Sequence, residues 1–358
     1  MFKAASLLFF ILESLTSFSQ KTEIVFCADF SGSTNGMVKE LQKTIWATVN
    51  QFQAVKSSRE LSFGLVGYGR KSFEKEKYYS KVINPLGTPV NDIGYALVKL
   101  QVVVNGCDAY PQKALNDCLR SIKWSEAEDV NRIVVLIGNG GVQREDLKKE
   151  LKRAKKLNIS VQPIFYKANR SGGGIEDWKF FAKEAGTTLI VSESFNLKIE
   201  FKKFYDSNFI KCAGEKYLAT LVPFGIKGNR EFSKMKKMFS NLKETAVENF
   251  EEMLVFQSSK NMQGVYGSWD LVDFSKTNDI ADLNRKEIPL FLNSFSSEEL
   301  NKYLLIKRGE RVVIVEKIRL ELGKRNEFVT RRRLKSKNFQ GKGGLSNIIV
   351  EFLLDKFK

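Results

Sequence analysis

The stretch that decides the fold is Ile24-Val25-Phe26-Cys27-Ala28-Asp29-Phe30-Ser31-Gly32-Ser33. Its first five residues are apolar and predict a strand buried on both faces, as in a parallel sheet. The strand ends on the carboxylate of Asp29, and the hydroxyl residues Ser31 and Ser33 follow at two-residue spacing. Ligand sites of open α/β sheets form at the carboxyl ends of such strands. One anionic and two neutral oxygens suit a hard cation such as Mg²⁺, although strand-end Asp and Ser also commonly cap the following helix.

The composition bounds both the size of the protein and its chemistry. The chain has 358 residues, 43% of them hydrophobic, which is enough for an α/β domain and a second folded unit. Its net charge of +17 favours acidic partners or anionic surfaces. It contains no histidine, which excludes Ser-His-Asp and Cys-His catalysis, histidine-ligated zinc and a histidine general base.

The four cysteines are Cys27, Cys107, Cys118 and Cys212, and they form no Cys-x-x-Cys pair. This spacing speaks against a zinc or iron–sulfur cluster. Cys27 lies in the predicted buried strand, where an inert thiol is expected. A Cys107–Cys212 or Cys107–Cys118 disulfide and a set of free thiols both remain open.

The N-terminus resembles a secretory signal peptide over residues 1–19. Lys3 supplies the positive charge, residues 6–12 supply the apolar core, and Ser17 and Ser19 are the small residues before cleavage. We therefore expect a secreted or periplasmic protein, with a short amphipathic helix as the alternative. No other stretch approaches the roughly 18 consecutive apolar residues of a membrane span.

Strands and helices alternate over residues 20–206, which predicts a mainly parallel sheet covered by helices on both faces. The predicted strands span 24–28, 61–68, 132–138, 161–165 and 187–191. The predicted helices span 34–55, 90–100, 112–122, 144–157, 175–185 and 197–205.

Several loops of this region resemble those of von Willebrand factor type A (VWA) domains. The spacing of Asp29, Ser31 and Ser33 is similar to the opening of that family's metal-ion-dependent adhesion site (MIDAS). Residues 105–112 resemble the Gly-Gly-Asp-x-Pro-Glu variant of its second metal loop, and residues 137–141 occupy its third. The motif Gly67-Tyr68-Gly69-Arg70 and the segment 181–187 match further landmarks. The resemblance covers residues 21–205 and implies a Rossmann-like, doubly wound VWA fold.

The resemblance also implies a set of site residues. The implied metal ligands are Asp29, Ser31, Ser33, Asp108 and Asn139, and the implied partner contacts are Phe30, Gly32, Tyr110 and Gly140. Asn139 stands where the family has an aspartate, so the site has one charge fewer. We expect the site to bind Mg²⁺, or Mn²⁺ or Ca²⁺ instead, with low affinity. The alternative is a degenerate pocket that binds no metal.

Residues 207–358 resemble no family that the sequence identifies, and they are predicted to form a basic α+β domain. Apolar residues at helical spacing predict helix over 232–254. Strands are predicted at 217–224, 311–315, 318–322 and 327–334, a turn and a strand at 264–274, and residues 348–357 close the chain. The basic run at 331–337 lacks interleaved aromatic residues, which favours a solvated strand edge over a nucleic-acid site.

The sequence thus predicts an exported, non-enzymatic binding protein that engages an acidic group of a protein partner through a bound divalent cation. The first alternative is a metal-free VWA scaffold whose basic C-terminal region binds an anionic envelope surface or glycan. The second is an envelope-associated hydrolase, against which the lack of histidine and of a recognisable nucleophile motif speaks.

Overall fold

A six-stranded sheet with strand order β3-β2-β1-β4-β5-β6 forms the centre of the protein. The computed structural model describes residues 21–34, 37–55, 60–100, 108–167, 174–193, 206–259, 266, 268–335 and 345–356. β3 pairs antiparallel with β2, and every other neighbouring pair is parallel. The strands are β1 (Lys21–Asp29), β2 (Glu60–Tyr68), β3 (Ser80–Asn84), β4 (Asn131–Gly138), β5 (Ile159–Lys167) and β6 (Ile190–Glu193).

The predicted first strand, β1, lies between β2 and β4 and is buried from Thr22 to Asp29. The chain runs outward from β1 through β2 to β3 and then returns to place β4 on the other side of β1. The strand order therefore reverses between β1 and β4, the position at which α/β sheets open a crevice for ligands.

Helices cover both faces of the sheet, as the alternating pattern predicts. Ile24, Phe26 and Ala28 of β1 belong to one hydrophobic cluster, and Val25 and Cys27 belong to the other. Side chains that alternate along a strand point to opposite faces, so a continuous apolar run supplies both cores. The helices of this region are α1 (Met37–Val55), α2 (Val90–Leu100), α3 (Pro111–Arg120), α4 (Arg144–Lys156) and α5 (Ile175–Ala185). The predicted α/β fold class is confirmed.

The edge strand β3 is absent from the sequence prediction. Its residues, Ser-Lys-Val-Ile-Asn, include only two apolar side chains and are mostly half-exposed, so no buried run marks them. The signal peptide, Cys107 and the closing helix at 197–205 lie outside the described residues.

The C-terminal region is helical where strands were predicted. Its helices are α6 (Ser207–Leu218), α7 (Gly225–Thr245), α8 (Val247–Gln257), α9 (Leu271–Phe274), α10 (Ser297–Lys335) and α11 (Leu345–Lys356). α7 and α8 confirm the helix predicted over 232–254. Within the described part of residues 207–358, the only strand-like pairing is an isolated bridge between Pro223 and Asp270.

The strands predicted at 311–315, 318–322 and 327–334 are wrong, because α10 contains all three. Buried residues of α10 recur at spacings of four and seven, the period of one helix face: Leu300, Leu304, Arg311, Ile318 and Leu322. Val312 and Val313, part of the β-branched run, are instead 58% and 52% exposed. The predictions at 217–224 and 264–274 hold only at the bridge of Pro223 with Asp270, since α6 runs to Leu218 and α9 covers 271–274. Residues 264, 265 and 267 lie outside the described residues.

One hydrophobic cluster crosses residue 206 and joins the C-terminal helices to the sheet. It combines β1 and α1 with residues of α7, α8, α10 and α11. Polar contacts accompany it: the Asn249 side chain donates to the backbone oxygen of Lys39 at 2.8 Å, and Asn50 donates to that of Glu252 at 3.0 Å. None of the described helices has the length and apolar character needed to cross a membrane.

Candidate metal centre

The loop after β1 is held in one conformation by its own polar groups. Asp29 is fully buried, and its Oδ1 accepts a hydrogen bond from the Ser31 backbone N–H at 2.8 Å. Thr34 Oγ1 donates to the backbone oxygens of Asp29 at 2.7 Å and Ser31 at 2.9 Å. The short 3₁₀ turn Gly32–Thr34 therefore keeps the two serines beside the carboxylate.

A chain of hydrogen bonds joins this loop to the end of β4. The Ser31 and Ser33 hydroxyls lie 3.0 Å apart, and Ser33 Oγ donates to Asn139 Oδ1 at 2.8 Å. Asn139 is buried and directly follows β4. The structure therefore brings together Asp29, Ser31, Ser33 and Asn139 where the strand order reverses.

One oxygen of Asp29 has no hydrogen-bond partner in the part of the chain that the structure describes. Oδ2 is shielded from solvent and receives no donor from the described residues. Burial raises the pKa of Asp29 to about 6, while hydrogen bonding with Ser31 pulls the pKa down. A buried carboxylate oxygen without a donor is costly, and a cation or its bound water would satisfy it.

Two glycines allow the surrounding backbone to approach Asp29 closely. A Cβ built on Gly69, whose φ is +75°, would lie 2.7 Å from Asp29 Oδ1 and 3.3 Å from Ala109 Cβ. A Cβ on Gly138 would lie 2.2 Å from the Tyr68 hydroxyl and 3.2 Å from Asp29 Oδ2. Only glycine therefore fits at positions 69 and 138.

We expect Gly69→Ala to lower the free energy of unfolding more than Gly186→Ala does. Both glycines have positive φ, at which an L-residue is strained, but a Cβ on Gly186 would meet nothing within 4 Å. The new methyl group at position 69 would also displace Asp29 Oδ1, at an additional cost of about 1–3 kcal/mol. Denaturant unfolding of the two variants measures the difference, and equal losses would show that position 69 is not crowded.

The second-loop candidate, Asp108, is placed differently from the other four predicted ligands. It is exposed, and its Oδ2 accepts from the Tyr110 hydroxyl at 3.4 Å. The next residue, Ala109, lies against the site: a Cβ on Gly140 would be 3.0 Å from Ala109 Cβ. The second and third loops thus meet beside the first, with the Asp108 carboxylate at the solvent side.

The predicted partner contacts divide into surface and core positions. Gly32 is exposed, while Tyr110 and Gly140 are half-buried. Phe30 is only 8% exposed and packs edge to face on Phe73, with ring centroids 6.5 Å apart. The expectation of a partner contact is therefore corrected for the Phe30 side chain, which belongs to the hydrophobic core.

Sequence reasoning missed Thr34 and Tyr68 as supports of the site. The Tyr68 hydroxyl donates to the backbone oxygen of Ile137 at 3.1 Å, and it ties the end of β2 to the end of β4. Thr34 carries a readable signal, since a hydroxyl three residues after Ser31 is typical of a turn that closes on its own backbone. Nothing in the sequence indicates the partner of Tyr68.

The donor set consists of hard oxygen ligands. Among the described residues, no three side chains from histidine, cysteine, aspartate and glutamate cluster to hold a metal. A cation at Asp29 would depend on hydroxyl and amide oxygens in addition to carboxylate, which fits Mg²⁺, Mn²⁺ or Ca²⁺ and not zinc. Cys27 and Cys118 are buried free thiols, and Cys212 is an exposed one.

Comparisons with known proteins give structural similarities only. No protein-family model matches the chain, and no curated protein matches it. The SpRpn10 VWA domain aligns at 15% identity, with 49% of this chain, 89% of that one and a TM-score of 0.37. Manganese-loaded TRAP protein from Plasmodium vivax aligns at 15% identity over 46% of this chain, with a TM-score of 0.33; the match spans 63% of that chain, less than two thirds. The conserved hypothetical protein BatB from Bacteroides thetaiotaomicron aligns at 12% identity over 62% of this chain and 98% of that one, with a TM-score of 0.37.

Proposed function

We propose that this chain is an exported, non-enzymatic binding protein that engages an acidic group of a protein partner through a divalent cation. The observation that carries the proposal is the buried Oδ2 of Asp29, which has no hydrogen-bond partner among the described residues, beside the linked side chains of Ser31, Ser33 and Asn139. A bound cation would compensate for the cost of this buried oxygen.

Asp29, Ser31 and Ser33 would hold the ion, and Asp108 and Asn139 would complete its surroundings. The ion would supply an electrophilic centre that a partner carboxylate can ligate. Only two of the five residues are carboxylates, so the proposed affinity for the ion alone is low, in the micromolar to millimolar range. The exposed Gly32 and Ser33 leave the approach to this centre open on the partner side.

The charge balance supports an acidic partner. The chain carries a net charge of +17, so the field around the protein attracts anions. We propose a binding function and not catalysis, because the described residues gathered around Asp29 include no further side chain suited to act as a general base.

Titration with Mg²⁺ or Mn²⁺ tests the metal claim. We expect saturable heat in calorimetry and a melting temperature that rises by a few degrees, since a ligand that binds only the folded chain stabilises it. Asp29→Ala should abolish both effects. The control Asp129→Ala removes an exposed carboxylate elsewhere on the sheet domain and should leave both unchanged.

Flat titrations of the wild-type chain with Mg²⁺, Mn²⁺ and Ca²⁺ would refute the metal claim and leave the fold intact. The partner claim has a separate test, because binding to an acidic protein ligand should be lost in a chelator. Binding that survives the chelator but weakens with salt would instead support a metal-free scaffold with a basic binding surface.

A further inference from the structure

A cationic cleft between α8, α9 and α10 lies outside the candidate metal centre and plays no part in the proposed function. Its volume is about 480 Å³, within the range of pockets for small molecules. Arg308, Arg311, Val315 and Arg319 of α10 line one wall at spacings of three, four and four residues. This spacing places all four on one helix face, with the outer two about 16 Å apart along the axis.

The cleft has more positive than negative side chains, and one of the positive ones is not paired. Lys276, Arg308, Arg311 and Arg319 face Asp273 and Glu316. Arg311 pairs with Asp270 at 2.8 Å and with Asp273 at 3.2 Å, Asp273 also pairs with Lys276, and Glu316 is paired with Arg319 at 2.5 Å. No carboxylate in the described residues pairs with Arg308, whose one hydrogen bond there is a 3.0 Å contact from Nη2 to Ser275 Oγ.

Two residues that line the cleft each carry a buried polar atom with no hydrogen-bond partner among the described residues. These atoms are Arg308 Nε and Ser259 Oγ. Each unmet donor costs free energy in the unliganded chain. Among the described residues one neutral hydrogen bond holds the Arg308 guanidinium, so its charge is not neutralised by a carboxylate there.

The rest of the wall is partly apolar. Val312, Val315 and Tyr217 border the same space. The cleft is therefore larger than an inorganic anion requires, and it has room for an uncharged organic body beside the cationic end formed by Arg308 and Lys276.

We propose that this cleft binds a phosphate monoester, with the phosphoryl group on Arg308 and Lys276 and the organic body against Val312 and Val315. A phosphoryl group carries close to two negative charges at neutral pH and offers three acceptor oxygens. A planar guanidinium is suited to bind two of these oxygens at once, and an ammonium group acts as a point charge beside it.

Calorimetric titration of the full chain with phenyl phosphate tests the proposal. We expect saturable binding that is tighter than for inorganic phosphate, which lacks the apolar body, and tighter than for benzoate, which has a single charge. Arg308→Gln should weaken phenyl phosphate binding by about tenfold or more, the usual effect of losing a hydrogen bond to a charged group. The affinity of Arg308→Lys for phenyl phosphate should lie between those of the wild type and Arg308→Gln, since lysine keeps the positive charge but lacks the planar guanidinium that binds two oxygens at once.

Arg230→Gln is the matched control, because it removes an exposed arginine from α7 without touching the cleft. A second variant, Val312→Glu, adds a carboxylate at a 58% exposed helix position that tolerates substitution, and it should also weaken phosphate binding. This variant keeps the test decisive if Arg308→Gln does not fold.

Three results would overturn the proposal. The first is equal weakening by Arg230→Gln and Arg308→Gln, which would indicate a general effect of net charge. The second is benzoate binding as tightly as phenyl phosphate, which would remove the phosphoryl assignment. The third is a lower melting temperature for Arg308→Gln with an unchanged response to phosphate, which would make Arg308 purely structural.

Discussion

Replacing Arg311 with alanine should lower the free energy of unfolding by about 3–5 kcal/mol, as expected when one partner of a buried ion pair is removed. Arg311 is 8% exposed, and its Nη1 lies 2.8 Å from Asp270 Oδ2 and 3.2 Å from Asp273 Oδ1. Nε and Nη2 donate to Thr220 at 3.1 and 2.7 Å. The change would leave Asp270, which is fully buried, without a countercharge.

Arg319→Ala provides the comparison, because this arginine is more exposed and its pair with Glu316 lies at the surface. Its Nε also donates to the Ser258 backbone oxygen at 2.8 Å, so its loss should cost about 1–2 kcal/mol. Burial raises the pKa of Asp270 even with Arg311 present. Without Arg311 the pKa of Asp270 should rise further. The loss of unfolding free energy in Arg311→Ala should therefore shrink as the pH falls through the pKa that Asp270 has in this variant, since a protonated Asp270 needs no partner. Denaturant unfolding at neutral and acid pH measures both effects, and similar losses for Arg311→Ala and Arg319→Ala would contradict the structural role of the buried pair.

Asp29→Asn should stabilise the metal-free chain at neutral pH. Burial raises the pKa of Asp29 to about 6, whereas an aspartate in the unfolded chain has its ordinary pKa of 3.8. Keeping this side chain ionised at pH 7 therefore costs the fold free energy, and we expect a gain of about 1–3 kcal/mol when the charge is removed. The asparagine can still accept the Ser31 N–H at Oδ1.

The pH dependence of the free energy of unfolding tests independently whether the charge on Asp29 destabilises the fold. Between pH 4 and 6 the folded chain binds more protons at Asp29 than the unfolded chain does. The contribution of Asp29 to stability should therefore fall as the pH rises through this window, and Asp29→Asn should lack that slope. Asp129→Asn is the control for loss of a surface charge. With Mg²⁺ present the order should reverse under the proposed function, because only the wild type gains the binding energy of the ion. If Asp29→Asn is less stable than the wild type in the presence of a chelator, the ionised Asp29 side chain does not destabilise the metal-free fold.

The sequence predicts the sheet well because its central strands are buried on both faces. Apolar runs at 24–28 and 132–138 have one stable environment, and the helices between them have clear amphipathic spacing. The same logic places Asp29, Ser31, Ser33 and Asn139 at one edge, since strand ends in a parallel sheet meet there.

Features decided by tertiary packing are not readable in this way. The β-branched run at 312–315 favours a strand locally, but the buried face of α10, which includes Leu304 and Ile318, requires a helix. Phe30 looks like an exposed loop residue between polar neighbours, and only the position of Phe73 shows that it packs inward. The need for glycine at position 69 depends on Asp29 Oδ1, forty residues away in sequence.

The cluster shared by α1 and the C-terminal helices has a consequence for how the protein is synthesised. The helix α1 leaves the ribosome well before α8 and α11, the two C-terminal helices that pack against it. The sheet can form early, but the face of α1 toward these helices stays uncovered until about residue 356 has emerged. A truncated chain that ends near residue 206 would keep this face exposed and would tend to aggregate. We therefore expect that the sheet region produced alone aggregates, because it lacks the C-terminal helices that cover α1.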